Sequence, residues 1–138
     1  MKTRILIFLA LSIVIAGTAG TLSHRKQLVN RTNAVKPVDP VFNFVHGHRQ
    51  GKGATVAWSS SATSSTVVCF DVLRTYEDPN DPYAVWDVVG SQNCNSSKNY
   101  KNTETPVSAG MISYVVVASM VGGGTAYSDI VTIQKVQH

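Results

Sequence analysis

From residue 41 to residue 136 apolar and polar side chains alternate with period two, and apolar residues do not recur at the three- and four-residue spacing of a helix. Successive side chains of an extended strand point to opposite faces, so this alternation predicts strands with one buried face. The runs cover residues 41–45, 54–58, 66–76, 83–89, a weaker stretch at 98–105, then 112–120 and 126–136. Turn chemistry separates them: three glycines within 46–53, a serine-rich stretch at 59–65, Pro79 and Pro82, Gly90, Ser108-Ala109-Gly110, and Gly122-Gly123-Gly124. The run around Tyr114-Val115-Val116-Val117 is the strongest, because β-branched side chains this dense favour extended backbone. About seven short antiparallel strands predict an all-β sandwich, with a closed barrel as the alternative. Trp58, Phe70, Trp86 and Tyr114 are its expected core.

The start of the chain has a different character. Lys2 and Arg4 precede an apolar run over 5–16, and Gly17-Thr18-Ala19-Gly20 follows. A basic start, a short apolar middle and a small-residue exit are the parts of a secretory signal peptide, expected here over 1–19. The apolar run is shorter than the roughly 20 residues a spanning helix needs, so no stable membrane span is expected after cleavage. Residues 20–40 are polar, basic and closed by Pro37 and Pro40, as in a flexible tail, and the folded domain is expected over 41–138. Removing Lys2 and Arg4 lowers the formal charge from +4 to about +2. That is no concentrated basic face of the kind nucleic-acid binders carry. The expected location is therefore outside the cell or in the periplasm.

Cys69 and Cys94 are the two cysteines. In an oxidising compartment such a pair is read first as a disulfide, and closing a loop of this size is worth roughly 3–4 kcal/mol on chain-entropy arithmetic.

Four pieces of the chain, in order, resemble the fibronectin type III family of immunoglobulin-like sandwiches. Thr55-Val56-Ala57-Trp58 is similar to that family's second strand with its core tryptophan. Phe70-Asp71-Val72-Leu73-Arg74 and Trp86-Asp87-Val88-Val89 resemble the third strand and its neighbour. Ser108-Ala109-Gly110 with Tyr114-Val115-Val116-Val117-Ala118 resembles the approach to the sixth, and Ala126-Tyr127-Ser128-Asp129-Ile130-Val131 the entry to the last. The resemblance implies a module that presents loops on a rigid sandwich for binding or adhesion.

Candidate chemistry is sparse. His46 and His48 stand two apart and would share a strand face, but a zinc site needs more ligands than two. Glu77, Asp78, Asp81 and Asp87 match no calcium loop. No Gly-x-Ser-x-Gly elbow is present, and Gly122-Gly123-Gly124 lacks the lysine of a phosphate loop. No catalytic residue, metal or cofactor is therefore expected, and the chain is read as a non-enzyme. The expected ligand loops are Glu77, Asp78, Asp81 and Tyr83 in one and Gly122, Gly123 and Gly124 in the other, meeting a protein or carbohydrate partner outside the cell, with no role for nucleic acid. A structural protein associating through sheet edges is the alternative function, and a small secreted hydrolase ranks third.

Overall fold

The alternation resolves into two antiparallel sheets in a computed structural model, which describes Lys26–Gln27 and residues 41–134. The expected signal peptide at 1–19 and most of the expected tail at 20–40 lie outside the described residues. The strands are β1 (Lys26–Gln27), β2 (Phe42–Gln50), β3 (Gly53–Ser60), β4 (Val67–Thr75), β5 (Trp86–Asn93), β6 (Asn99–Glu104), β7 (Met111–Met120), β8 (Thr125–Tyr127) and β9 (Val131–Gln134). A three-stranded sheet has the order β2-β3-β6. A six-stranded sheet runs β1-β5-β4-β7-β8, with β9 also paired to β7. The fold is an all-β, immunoglobulin-like sandwich. Leaving aside the two-residue β1, and counting β8 and β9 as one interrupted strand, it has the expected seven strands. Among the described residues no helix is long and apolar enough to cross a membrane.

The core lies between the sheets. Ala54, Val56 and Trp58 of β3 face Phe70 and Val72 of β4 and Ile112, Tyr114, Val116 and Ala118 of β7. Trp58, Phe70 and Tyr114 are at most 1% exposed, as the alternation predicts. Trp86 is also buried, at 3% exposed, but belongs to a separate cluster, with Leu73, Ala84, Val115 and Val117. These side chains alternate with the inner set on β4 and β7, so this second cluster lies on the outer face of the six-stranded sheet. That explains why β7 reads as a continuous apolar run: both of its faces are buried. A polar clamp joins the sheets. Arg74 of β4 pairs with Glu104 of β6 and, at 3.2 Å, with Asp87 of β5, and it lies 4.6 Å over the Tyr76 ring.

Three strand boundaries differ from expectation. Residues 46–50 continue β2 instead of forming a loop, and Gly51, at φ 58°, and Lys52 make the turn into β3. Gly47 belongs in a strand because its inner side packs on β9. A Cβ there would come within 2.7 Å of Val131 Cγ1 and 2.9 Å of Ile133 Cδ1. Gly90 does not end β5, since the Asn102 side chain occupies the space a Cβ would take. The last strand breaks at Ser128, whose hydroxyl accepts a hydrogen bond from Val116 N at 2.9 Å while its own N–H donates to Val116 O.

The two cysteines are free thiols. Cys69 precedes the inward-facing Phe70 and so faces outward, paired across the sheet with Asn93. Cys94, the next residue, sits in the inner core with its backbone N–H on Val68 O. The expected disulfide is therefore not formed: the thiols are near in register but on opposite faces of one sheet.

Candidate functional site

The outer face of the three-stranded sheet is built from side chains of alternating parity to the core. On β2 these are Phe44, His46 and His48, on β3 Ser59, Ala57 and Thr55, and on β6 Asn99, Lys101 and Thr103. Strand register sets them in three rows: Phe44–Ser59–Asn99, His46–Ala57–Lys101 and His48–Thr55–Thr103. Every central residue is small, and every flanking residue on β2 and β6 is exposed. The result is a trough with a low floor and two walls. At ordinary strand geometry it is about 10 Å between walls and about 14 Å long.

Each wall has a distinct character. On β2, Phe44 is 42% exposed and its ring stacks with that of His46 at 5.1 Å and 26°. The opposite wall carries an amide, an ammonium and a hydroxyl. The floor is braced in two ways. Thr55 and Thr103 share a hydroxyl hydrogen bond of 3.0 Å. Beneath the floor, Trp58 and Tyr100 stack at 5.6 Å and 11°, so the backbone of β3 and β6 rests on rigid rings. Burial raises the Tyr100 hydroxyl above the usual phenol range. The Tyr114 phenol is also raised, first by burial and then by the Glu104 carboxylate, to which it donates at 3.1 Å.

At one end the trough meets a cleft of about 490 Å³ lined by Val41, Ala62, Thr66 and Met120, among others. Asn43 lines it too, and stands at the junction. Its amide donates to Ser59 Oγ at 3.3 Å and its carbonyl accepts from Ser61 Oγ at 2.9 Å. A register shift between Phe42 and Phe44 turns Asn43 outward, while Phe42 packs on Phe70 in the core.

The two loops expected from sequence are not brought together. The β4–β5 loop leaves the C-terminal end of β4, and the turn at Gly122, Gly123 and Gly124 leaves the C-terminal end of the antiparallel β7, so they lie at opposite ends of the sandwich. In the first loop the carboxylates serve the backbone. Asp78 accepts from Asn80 N, Asp81 from Tyr83 N, and Glu77 from Val85 N at 2.7 Å. Tyr83 is 80% exposed. In the second, Gly123 and Gly124 have φ 87° and 85°, which accounts for the glycines without a ligand. Sequence reasoning missed Phe44, Asn99 and Lys101 as site residues and placed His46 and His48 in a turn. The signal was available: carrying the alternation past residue 45 puts Phe44, His46 and His48 on one face.

No family model matches the chain, and no curated protein matches it. Solved structures do. Pectate lyase Pel3 from Pectobacterium carotovorum matches with TM-score 0.49 at 15% identity, over 67% of this chain and 26% of that one. Pectate lyase PelI from Erwinia chrysanthemi matches at 0.46 and 17%, over 61% and 25%. A lytic polysaccharide monooxygenase (LPMO) from Kitasatospora papulosa matches at 0.46 and 19%, over 63% and 49%. The chain thus spans about a quarter of each lyase and about half of the monooxygenase. The expectation that this chain is not an enzyme is corrected by these matches, all of which are enzymes by name.

Proposed function

We propose that the chain is an exported module that binds polysaccharide along the trough of its three-stranded sheet, on a fibronectin type III-like arrangement of strands. The observation that carries this reading is the small-residue floor of Ser59, Ala57 and Thr55 beside the stacked, exposed Phe44 and His46. A sugar ring offers an apolar face and an equatorial belt of hydroxyls. An aromatic wall suits the first, and the amide and hydroxyl groups of Asn99, Thr103 and Asn43 suit the second. The sheet holds these groups without ordering a loop, which keeps the entropic cost of binding low. Edge-to-edge assembly is the weaker reading. The final strand is broken at Ser128, and Gln92 donates to the Lys101 carbonyl at 2.6 Å on the β6 edge.

The test is binding of the mature protein to a panel of soluble polysaccharides by calorimetry. Phe44→Ala is expected to weaken binding about 2- to 12-fold, the range of one aromatic contact. Ala57→Trp, which raises the floor, is expected to abolish it, and Tyr83→Ala to leave it unchanged. Loss in Tyr83→Ala with full binding by the two trough variants would move the site to the β4–β5 loop.

A further inference from the structure

We infer that the polysaccharide taken by the trough is acidic, a chain of uronate or sulfated rings. This rests on the trough being the binding site. The carboxylates of the described residues, Glu104 apart, gather on the six-stranded sheet and its connections. Asp71 and Asp87 lie on the six-stranded sheet, Glu77, Asp78 and Asp81 on its β4–β5 loop, and Asp129 between β8 and β9. The remaining described acid, Glu104, is on β6 but turns inward onto Arg74 and Tyr114. The outer face of the three-stranded sheet therefore carries no carboxylate. Its charged or basic groups are Lys101, with His46 facing it across Ala57, and His48 in the next row. Lys98 and Lys52 stand in the connections that flank the sheet.

Lys101 is exposed, and no acid among the described residues pairs with it. A lysine held on a strand, across a groove from an aromatic pair, offers a point charge to whatever lies on the floor. A repeating anionic polymer brings a charged ring to this one ammonium in any register along the floor, whereas a neutral glycan leaves it to water. The acidic opposite side of the molecule repels the same polymer and so orients it to this face.

The experiment uses the mature protein with alginate, hyaluronan and polygalacturonate, each beside its fully methyl-esterified form, which keeps the rings and removes the charge. At least one polyuronate is expected to bind about fivefold or more tighter than its ester, the worth of one charge pair at contact in water. That preference should shrink as salt is raised from 0.1 M to 1 M, where the screening length falls from about 10 Å to about 3 Å. Lys101→Glu should abolish the preference while keeping residual binding to the ester. Equal affinity for acid and ester, or for neutral glucans and mannans, overturns the acidic assignment and leaves the trough reading standing. Equal affinity for single-stranded oligothymidylate overturns it in favour of general polyanion capture. Silence toward every glycan, charged or neutral, overturns the trough reading itself.

Discussion

Gly47→Ala tests whether the wall of the trough is held in place from behind. Gly47 lies between His46 and His48 with its inner side on β9, and an added Cβ would stand 2.7 Å from Val131 Cγ1 and 2.9 Å from Ile133 Cδ1. Both distances are far inside van der Waals contact, so one element must shift. Overpacking of this kind costs about 1–3 kcal/mol. Replacing a strand glycine by alanine returns roughly 0.5–1 kcal/mol through the unfolded chain. The Ile133 methyl is the end of a flexible side chain and yields readily, while the Val131 methyl does not. The net expectation is a loss of about 0.5–2 kcal/mol, or roughly 2–16 °C in Tm for a domain of this size. Urea unfolding followed by tryptophan fluorescence measures it. In a Val131→Ala background the same change should be neutral or stabilising, a coupling of at least about 0.5 kcal/mol in the double-mutant cycle. A stabilising Gly47→Ala in the native background, or additive effects with Val131→Ala, would refute the claim that β2 and β9 close against each other at this glycine.

Two further outcomes follow from the buried polar groups. Tyr100 and Tyr114 both have phenol pKa values raised above the usual 10, by burial first, so the fold favours their neutral forms. Their contribution is fully present below pH 10 and is lost as pH climbs beyond it. Tm should therefore fall steeply above pH 10 as phenolate absorbance rises, and Tyr114→Phe should flatten that fall at a cost of about 1–3 kcal/mol at neutral pH. Thiol titration of the native protein should find two free groups, Cys69 reacting well before the 7%-exposed Cys94. A mass shift showing an internal bridge in native material would contradict the opposite-face placement.

The sandwich and most of its core were legible because alternation is a local property. Trp58 and Phe70 sit in runs that alternate, and the dense β-branched stretch around Tyr114 announced the strongest strand. Gly47 and Gly90 misled for a common reason. Glycine reads as a breaker, but each is a glycine because a neighbour distant in sequence occupies the place of its side chain: Val131 and Ile133 in one case, Asn102 in the other. Trp86 was correctly read as buried, yet parity alone does not say on which side of a sheet the burial occurs. The cysteine pair failed similarly. Spacing limits how far apart two residues lie, not which faces they take.

What the chain determined by itself is the set of strands, their buried parity and the sparse chemistry of its turns, since each depends on neighbours one or two residues away. Tertiary structure decided the rest. Pairing β2, β3 and β6 in register aligned Phe44, His46, Ala57 and Lys101 from three separate stretches into one groove whose outer face carries no described acid. Register between distant strands is set by which core packs best, and that is a property of the assembled layers rather than of any one strand.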